Sequence, residues 1–193
     1  MAIPRGYNET GVKPMKIYVA RHGETDYNAE GKVCGATDIP LNSRGMEQAK
    51  ALADQVARHP EIKLMVVSPM IRAQQTAQAV LDRCPMEKRT DPRLREQNYG
   101  YFEGCDRTSP DFRAARLEFA KPFPQGESLF QMAQRIYNFL DDLTTEKPAE
   151  EVLLIAHGSA ARIIRSYFIP LSNEEYMTFY QKNCALEVYE TNL

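Results

Sequence analysis

The chain has 193 residues, of which 43% are hydrophobic and 26% are charged, and its formal net charge is −2. This length and composition are those of an ordinary globular domain that can bury a substantial core. Because the net charge is close to zero, no overall field attracts nucleic acid or an anionic membrane surface, and we expect neither as a partner. An anionic small molecule would have to be held by a local group of arginines, in a monomer or a homodimer.

The cysteines and the N-terminal residues indicate the cellular compartment. The four cysteines are widely and irregularly spaced: Cys34, Cys84, Cys105 and Cys184. This spacing fits neither a zinc site nor a dense disulfide framework, no apolar run has the length of a membrane span, and the N-terminus lacks the apolar segment of a signal peptide. We therefore expect reduced thiols in a cytoplasmic protein, with a flexible extension over residues 1–14 and one domain over residues 15–193.

The first element is a short apolar run, Ile17 to Ala20, that does not alternate with polar residues. Such a run is typical of a strand that is buried on both faces. Arg21, His22 and Gly23 follow at once, so an arginine and a histidine lie at the C-terminal end of this strand. In open α/β sheets, ligands bind at that edge.

Periodicity and capping residues predict two helices and a strand between them. After a loop over residues 23–43, Asn42 is a candidate N-cap for a helix over about residues 44–58. A second buried strand, Ile62 to Val67, precedes a helix over about residues 70–83 that carries Arg72 in its first turn. The residues expected to face the core are Met46, Ala49, Leu52, Ala53 and Val56 in the first helix and Ile71, Ala73, Ala77, Val80 and Leu81 in the second.

Residues 86–125 show little periodicity, because prolines and charges interrupt the pattern around one short helix-like stretch at about residues 110–120. We expect this segment to be an excursion over the edge of the sheet and not a separate domain. Its part from residue 97 to residue 125 is where we expect the substrate to be selected.

The C-terminal part of the chain alternates again between helix and strand. A capping-box pattern at Ser128 and Gln131 opens a helix, and a third buried strand over residues 151–156 ends in His157 and Gly158. The other elements predicted here are helices over about residues 129–143 and 159–168, a short helix after the capping box of Ser172 and Glu175, and an edge strand that begins near Cys184.

Strands that alternate with amphipathic helices indicate an α/β fold, a three-layer sandwich with a mainly parallel sheet and helices on both faces. The C-terminal ends of parallel strands lie at one edge of the sheet. We therefore expect Arg21, His22, Arg72 and His157 to meet there, with the excursion as a small helical and loop cover.

Two histidines and two arginines at one edge suit phosphoryl transfer, which needs a nucleophile, positioning and neutralisation of charge. A neutral His22 imidazole can attack phosphorus and form a phosphohistidine. Arg21 and Arg72 can bind the non-bridging oxygens, and His157 can donate to a third oxygen. Because the arginines neutralise the charge and the sequence offers no carboxylate cluster, we expect no cofactor and no metal.

Five stretches of sequence occur in an order that is typical of one protein family. They are Arg21-His-Gly-x-Thr-x-x-Asn28, Ser68-Pro-x-x-Arg72-Ala, Leu94-x-Glu96, Gly126-Glu-Ser128 and His157-Gly158. In these stretches the chain resembles the histidine phosphatase superfamily, the phosphoglycerate-mutase-like proteins, and the resemblance extends over residues 15–190.

The resemblance implies that His22 carries the phosphoryl group and that Glu96 is the general acid, which later becomes the base that activates water. It also implies a structural role for Glu103, which lies in the same stretch as Glu96. The residues expected to bind the substrate or its phosphate are Arg21, Asn28, Cys34, Gly35, Arg72, His157 and Gly158. Among these, Cys34 and Gly35 stand where many relatives carry Gln-Gly or Thr-Gly.

These inferences favour a phosphatase that hydrolyses a small-molecule phosphomonoester, and three alternatives stay open. The first is a cofactor-dependent phosphoglycerate mutase, although the stretch from Glu96 to His157 is short compared with the insertion that mutases carry. The second is a catalytically silent module that binds phosphorylated ligands, against which the intact set of site residues argues. The third is a protein phosphohistidine phosphatase.

Overall fold

The computed structural model describes residues 14–191. The extension expected over residues 1–14 lies outside them except for Pro14. The strands are β1 (Lys16–Arg21), β2 (Leu64–Val67), β3 (Glu87–Thr90), β4 (Glu151–Ala156) and β5 (Leu186–Glu190). They form one sheet in the order β3-β2-β4-β1-β5, in which the first four strands are parallel and β5 pairs antiparallel with β1.

Helices cover both faces of the sheet. The helices are α1 (Asp26–Ala29), α2 (Ser43–Val56), α3 (Ile71–Arg83), α4 (Pro110–Ala115), α5 (Leu129–Glu146), α6 (Gly158–Phe168) and α7 (Asn173–Thr178). Two short 3₁₀ turns, Pro92–Leu94 and Gly100–Phe102, lie between β3 and α4. The predicted three-layer α/β fold with a mainly parallel sheet is confirmed. Within the part of the chain that the structure describes, no helix is long and apolar enough to cross a membrane.

The central strand β4 shows why the apolar runs of the sequence are uninterrupted. All six of its residues are buried. Val152 and Leu154 contact the core beneath α5 and α6, whereas Leu153 and Ile155 contact the core beneath α2 and α3. Because successive side chains of a strand point to opposite faces, a strand covered on both sides must be apolar at every position.

Two of the residues expected in the core are exposed instead, and these two predictions are wrong. Met46 is 38% exposed and Ile71 is 40% exposed. In α2, Gly45 faces inward instead of its neighbour Met46. The Gly45 backbone packs so closely that an added Cβ would lie 2.1 Å from the backbone oxygen of Glu24. In α3, Arg72, which follows Ile71 directly, is buried in the first turn. Adjacent helical side chains point about 100° apart, so Ile71 faces outward.

The sequence predicts no strand in residues 86–125, and this is wrong for β3. All four of its residues are exposed, and Glu87, Lys88 and Arg89 are charged. A strand without a buried face gives no apolar alternation from which it could be predicted. Charged side chains on an edge strand also discourage pairing with another chain. The helix predicted at residues 110–120 is shorter, because α4 ends at Ala115.

The excursion has a small core of its own. Its buried members are Val33, Tyr99, Phe112 and Phe123, and the Tyr99 and Phe112 rings meet edge to face at 5.3 Å between centroids. Val33 belongs to the loop that follows α1, so this aromatic cluster fixes the excursion against that loop, close to the C-terminal edge of the sheet.

Candidate active site

The C-terminal ends of β1 and β4 bring the two motif histidines together. Arg21 pairs in register with Ala156, and the N–H group of His22 donates to the carbonyl oxygen of Ala156 over 3.0 Å. His157 follows Ala156 directly, and the centroids of the His22 and His157 rings are 5.1 Å apart. The two imidazoles expected at this edge therefore lie side by side.

Arg21 and Arg72 complete the group, and backbone carbonyls hold both guanidiniums. Arg72, which is 0% exposed, donates from Nη1 to Thr37 over 2.9 Å and from Nη2 to Gly35 over 2.7 Å. Arg21 donates from Nη1 to the carbonyl oxygen of Gln181 over 3.0 Å. Neither forms an ion pair with a carboxylate among residues 14–191, so both positive charges are available to an anion.

The hydrogen bond of His22 fixes which ring nitrogen can act as a nucleophile. Nδ1 lies 2.6 Å from the carbonyl oxygen of Gly23. A carbonyl oxygen only accepts, so Nδ1 carries the proton and Nε2 keeps its lone pair. Burial, then Arg72 and then Arg21 hold the pKa of His22 well below its usual value, and the bond to Gly23 opposes this only in part. Without a bound anion, His22 is therefore neutral at neutral pH.

Three buried nitrogens beside His22 have no hydrogen-bond acceptor among the described residues. They are Nε of Arg21, Nε of Arg72 and Nδ1 of His157. Burial, Arg72, His22 and Arg21 lower the pKa of His157 well below its usual value, so this ring is also neutral. Its Nε2 lies 2.7 Å from the hydroxyl oxygen of Ser68. If that hydroxyl donates, Nδ1 carries the proton and all three nitrogens are donors.

Buried donors are almost always paired in folded proteins. Three unpaired nitrogens around one neutral imidazole, two of them guanidinium donors, therefore indicate a site for an oxyanion. A tetrahedral phosphoryl group offers three non-bridging oxygens to such a set.

Glu96 lies at the N-terminus of α6 and is 7% exposed. Its Oε2 accepts from the N–H group of Ser159 over 3.0 Å, and its Oε1 accepts from the N–H group of Gln97 over 2.9 Å. The hydroxyl oxygens of Ser159 and Tyr99 are 2.7 Å apart. A carboxylate at a helix N-terminus is favoured by the helix dipole, so α6 fixes Glu96 close to Gly158.

A half-buried arginine, Arg135, holds the backbone of the segment that carries Glu96. Arg135 of α5 donates to the carbonyl oxygens of Arg95 and Glu96 over 2.8 and 3.1 Å. Glu127 pairs with Arg135 at 2.7 Å and accepts from the N–H group of Asn98 over 3.0 Å. The position of the Glu96 carboxylate is thus determined from both sides of its segment.

Glu103 has a different environment, which agrees with the structural role expected for it. Its carboxylate accepts from the N–H groups of Gly35, Ala36 and Thr37 over 3.0, 2.7 and 3.2 Å and from that of Tyr99 over 3.1 Å. Glu103 therefore holds the loop whose carbonyl oxygens bind Arg72.

The other residues expected to bind substrate fall into two groups. Asn28, Cys34 and Gly158 line one cavity of about 130 Å³ together with Arg21 and Glu96. Burial is the main cause that raises the pKa of the Cys34 thiol.

Gly35 lies behind Arg72, because its N–H group donates to Glu103 and its carbonyl oxygen accepts from Arg72. An added Cβ would lie 2.2 Å from the backbone oxygen of Gln97. The structure thus gives Gly35 a positioning role, and its expected contact with substrate stays a prediction.

Sequence reasoning missed several residues that hold this site. Ser68 could have been found, because it follows the second predicted strand just as His22 and His157 follow theirs. Ser159 could have been found as a polar residue in the first turn of the helix after His157. Gln181 has no such signal, since it acts through its backbone carbonyl and lies between α7 and β5.

Comparison with known proteins places the chain in a family. Residues 17–192 match the model of the histidine phosphatase superfamily (branch 1), and the chain belongs to this family. A protein of Yersinia pestis (strain Pestoides F) named "Probable phosphoglycerate mutase GpmB" is 32% identical over 179 residues, which are 89% of this chain and 83% of that protein.

Two solved structures are also similar. A mycobacterial glucosyl-3-phosphoglycerate phosphatase, determined with VO3, has a TM-score of 0.78 and 28% identity over 90% of each chain. The alpha-ribazole phosphatase of Shigella flexneri has a TM-score of 0.78 and 24% identity, and covers 92% of this chain and 94% of its own; at this identity the likeness concerns the fold.

The two neutral histidines predict how stability depends on pH. Their pKa values are lower in the folded protein than in the unfolded chain, where they are about 6.5. Below that pH the unfolded chain binds more protons, so the free energy of unfolding should fall as the pH falls from 6.5 to 5.0. The slope should approach about 1.4 kcal/mol per pH unit for each histidine.

Urea unfolding in phosphate-free buffers at several pH values measures this slope. A His59→Gln variant is the matched control and should keep the slope, since His59 lies outside the group. A free energy of unfolding that stays level between pH 6.5 and 5.0 would contradict the neutral state of the two rings.

Proposed function

We propose that the protein hydrolyses a small-molecule phosphomonoester through a phosphohistidine on His22, with Glu96 as proton donor. The observation that carries this proposal is the set of three buried, unpaired nitrogens of Arg21, Arg72 and His157 beside the neutral His22 ring. Each well-placed donor to the transferring group contributes about 3 kcal/mol to the transition state.

In the first step, the phosphoryl oxygens accept from Arg21, Arg72 and His157. Nε2 of His22 attacks phosphorus while the bond from phosphorus to the ester oxygen breaks, and the Glu96 carboxyl group gives its proton to that oxygen. The products of this step are an alcohol, a phosphorylated His22 and an ionised Glu96.

In the second step, the Glu96 carboxylate takes a proton from a water molecule as its oxygen attacks phosphorus. The bond from phosphorus to Nε2 breaks and inorganic phosphate leaves. The lone pair returns to Nε2, Glu96 is protonated again, and the two Nη donors of Arg72 stay on the carbonyls of Gly35 and Thr37 throughout.

The similar proteins support phosphomonoester chemistry and leave two candidates. The glucosyl-3-phosphoglycerate phosphatase is named as a phosphatase. The Yersinia protein is named as a mutase, which favours phosphoglycerate mutase as the second candidate. A mutase must return the phosphoryl group to its acceptor before water reaches it, so the two candidates differ in the fate of phospho-His22.

Phosphate release separates these candidates. The wild-type protein should release phosphate from 4-nitrophenyl phosphate and from members of a panel of phosphorylated metabolites. His22→Ala should lower kcat by at least about 10⁴-fold, because the covalent route needs Nε2. His59→Ala, the matched histidine control, should keep the activity.

With 3-phosphoglycerate and a trace of 2,3-bisphosphoglycerate, the phosphatase should yield phosphate and little 2-phosphoglycerate. Rapid formation of the 2-isomer would make the protein a mutase. Absence of turnover on every ester from pH 5 to 8 would favour a silent binding module.

Glu96→Gln tests the proton donor. Esters of alkyl alcohols need a proton on the leaving oxygen, so their kcat should fall by about 10²–10⁴-fold, whereas 4-nitrophenyl phosphate, whose leaving group is stable as an anion, should lose less than about tenfold. Steady-state kinetics on the two ester types measures the difference.

Glu103→Gln is the control, and it should slow both ester types by a similar factor because Glu103 acts through the loop that binds Arg72. A similar loss on both esters in Glu96→Gln would show that Glu96 is not the acid.

A further inference from the structure

The cavity that contains Arg21, Asn28 and Glu96 is far more basic than the chain as a whole. The chain carries a net charge of −2. The charged residues that line the cavity are Arg21, Lys32, Glu96, Arg107, Arg116 and Arg162. Lys32 has a partner, since it pairs with Glu30 at 2.6 Å. The proposed chemistry uses Arg21 and Glu96, so the other arginines carry charge that it does not require.

Arg162 is half-buried on α6, three residues after Ser159. Its Nε and Nη2 donate to the carbonyl oxygen of Phe179 over 3.3 and 2.8 Å, and its guanidinium lies 5.5 Å from the centroid of the Tyr176 ring. Burial and the neighbouring Arg116 both lower the pKa of Arg162. The positive charge of Arg116 therefore acts on the Arg162 guanidinium.

Arg116 and Tyr176 lie near Arg162, and the polar groups of their side chains have no partner among the described residues. The Arg116 side chain contacts the Phe112 ring, 5.8 Å from its centroid, and makes no hydrogen bond or ion pair within residues 14–191. The Tyr176 hydroxyl is buried and has no partner there either. Arg116, Arg162 and Tyr176 line a narrow recess of about 20 Å³, whereas Arg116 and Arg162 also line the larger cavity. Glu118 lines the recess too, but does not pair with either arginine.

Elsewhere the chain supplies carboxylates to its half-buried arginines. Arg135 pairs with Glu127 at 2.7 Å, Arg165 with Glu187 at 3.3 Å, and Arg93 with Asp91 at 2.8 Å and Asp142 at 2.6 Å. The lack of a carboxylate for Arg116 and Arg162 is therefore local to the cavity beside the phosphoryl site.

We infer that Arg116 and Arg162, which both line the cavity of about 130 Å³, form a second anion site that binds an acid group, a carboxylate or a phosphate, on the leaving group of the substrate. This inference rests on the proposed function, because it assigns the part of the substrate that departs after transfer to His22. A planar guanidinium matches either acid group with two parallel hydrogen bonds.

The spacing along α6 limits the size of that leaving group. Ser159, which bonds Glu96, and Arg162 are three residues apart and lie on one face of the helix, roughly 4.5 Å apart along its axis. The cavity of about 130 Å³ has the volume of roughly four water molecules. A short acid, with two or three carbon atoms between the ester oxygen and the second acid group, fits these limits.

Three matched esters test the inference: 3-hydroxypropyl phosphate, 3-phosphooxypropanoate and 1,3-propanediol bisphosphate. They share a three-carbon chain and differ in the group at its far end, and none has the vicinal hydroxyl that a mutase would need. The wild-type protein should prefer one acidic ester over the hydroxyl ester by about tenfold or more in kcat/KM, since a hydrogen bond to a charged group has that effect. The preferred ester shows whether the acid is a carboxylate or a phosphate.

Arg116→Gln should reduce this preference at least about fivefold, since one of the two guanidiniums is lost. Arg162→Lys, which keeps a charge but loses the fork, should reduce it as well. Arg113→Gln is the matched control. Arg113 is an exposed residue of α4, the helix that has Arg116 as its C-cap. Because Arg113 does not line the cavity, the preference should stay within about twofold in this variant. Equal kcat/KM values for the three esters, or an unchanged preference in Arg116→Gln, would overturn the inference.

A binding measurement separates this inference from the proposed function. Calorimetric titration of His22→Ala with the same three esters needs no turnover. A preference for an acidic ester that Arg116→Gln removes would support the second site even if the wild-type protein hydrolyses none of them. Equal binding of all three would overturn the second site even if hydrolysis proceeds.

Discussion

Two guanidiniums and two imidazoles lie buried side by side at the C-terminal edge of the sheet, and buried like charges are unfavourable unless hydrogen bonds compensate them. The carbonyl oxygens of Gly35, Thr37 and Gln181 accept some of the hydrogen bonds that the two arginines can donate. Both imidazoles stay uncharged. A bound oxyanion would supply the acceptors that remain missing, so the feature that destabilises the empty site is the one that favours a phosphoryl group.

The loops around the site follow from this constraint. A carbonyl can hold Arg72 only if its loop is itself fixed, and Glu103 does this through the N–H groups of three successive loop residues. The turn after His22 is tied to α3 by Thr76, whose hydroxyl oxygen accepts from the N–H group of Gly23 over 3.0 Å and donates to the carbonyl of Arg72 over 2.7 Å. One shared hydroxyl group thus positions both His22, the proposed nucleophile, and Arg72, the proposed phosphate ligand.

The sequence predicted the parts of the site that follow directly from strand order. His22 and His157 each come after an apolar run, and parallel pairing of β1 with β4 is enough to bring them together. Gln181 could not be predicted, because a backbone carbonyl leaves no trace in the residue type. The predicted core positions of Met46 and Ile71 are wrong for a related reason. Both residues are apolar, but the face that each helix turns to the core is set by a neighbouring residue: Gly45 in α2, through its close backbone contact, and the buried Arg72 in α3.

We propose that Nε2 of His22 carries the phosphoryl group, because Nδ1 donates to the carbonyl oxygen of Gly23 over 2.6 Å. Protein labelled uniformly with ¹⁵N, mixed with a rapidly reacting phosphate ester and quenched at high pH within milliseconds, can be examined by phosphorus–nitrogen correlation NMR and peptide mapping. We expect one acid-labile adduct, on the peptide that contains His22, with phosphorus bonded to Nε2. An adduct on Nδ1, or on the peptide that contains His157, would contradict the role proposed for Nε2 of His22.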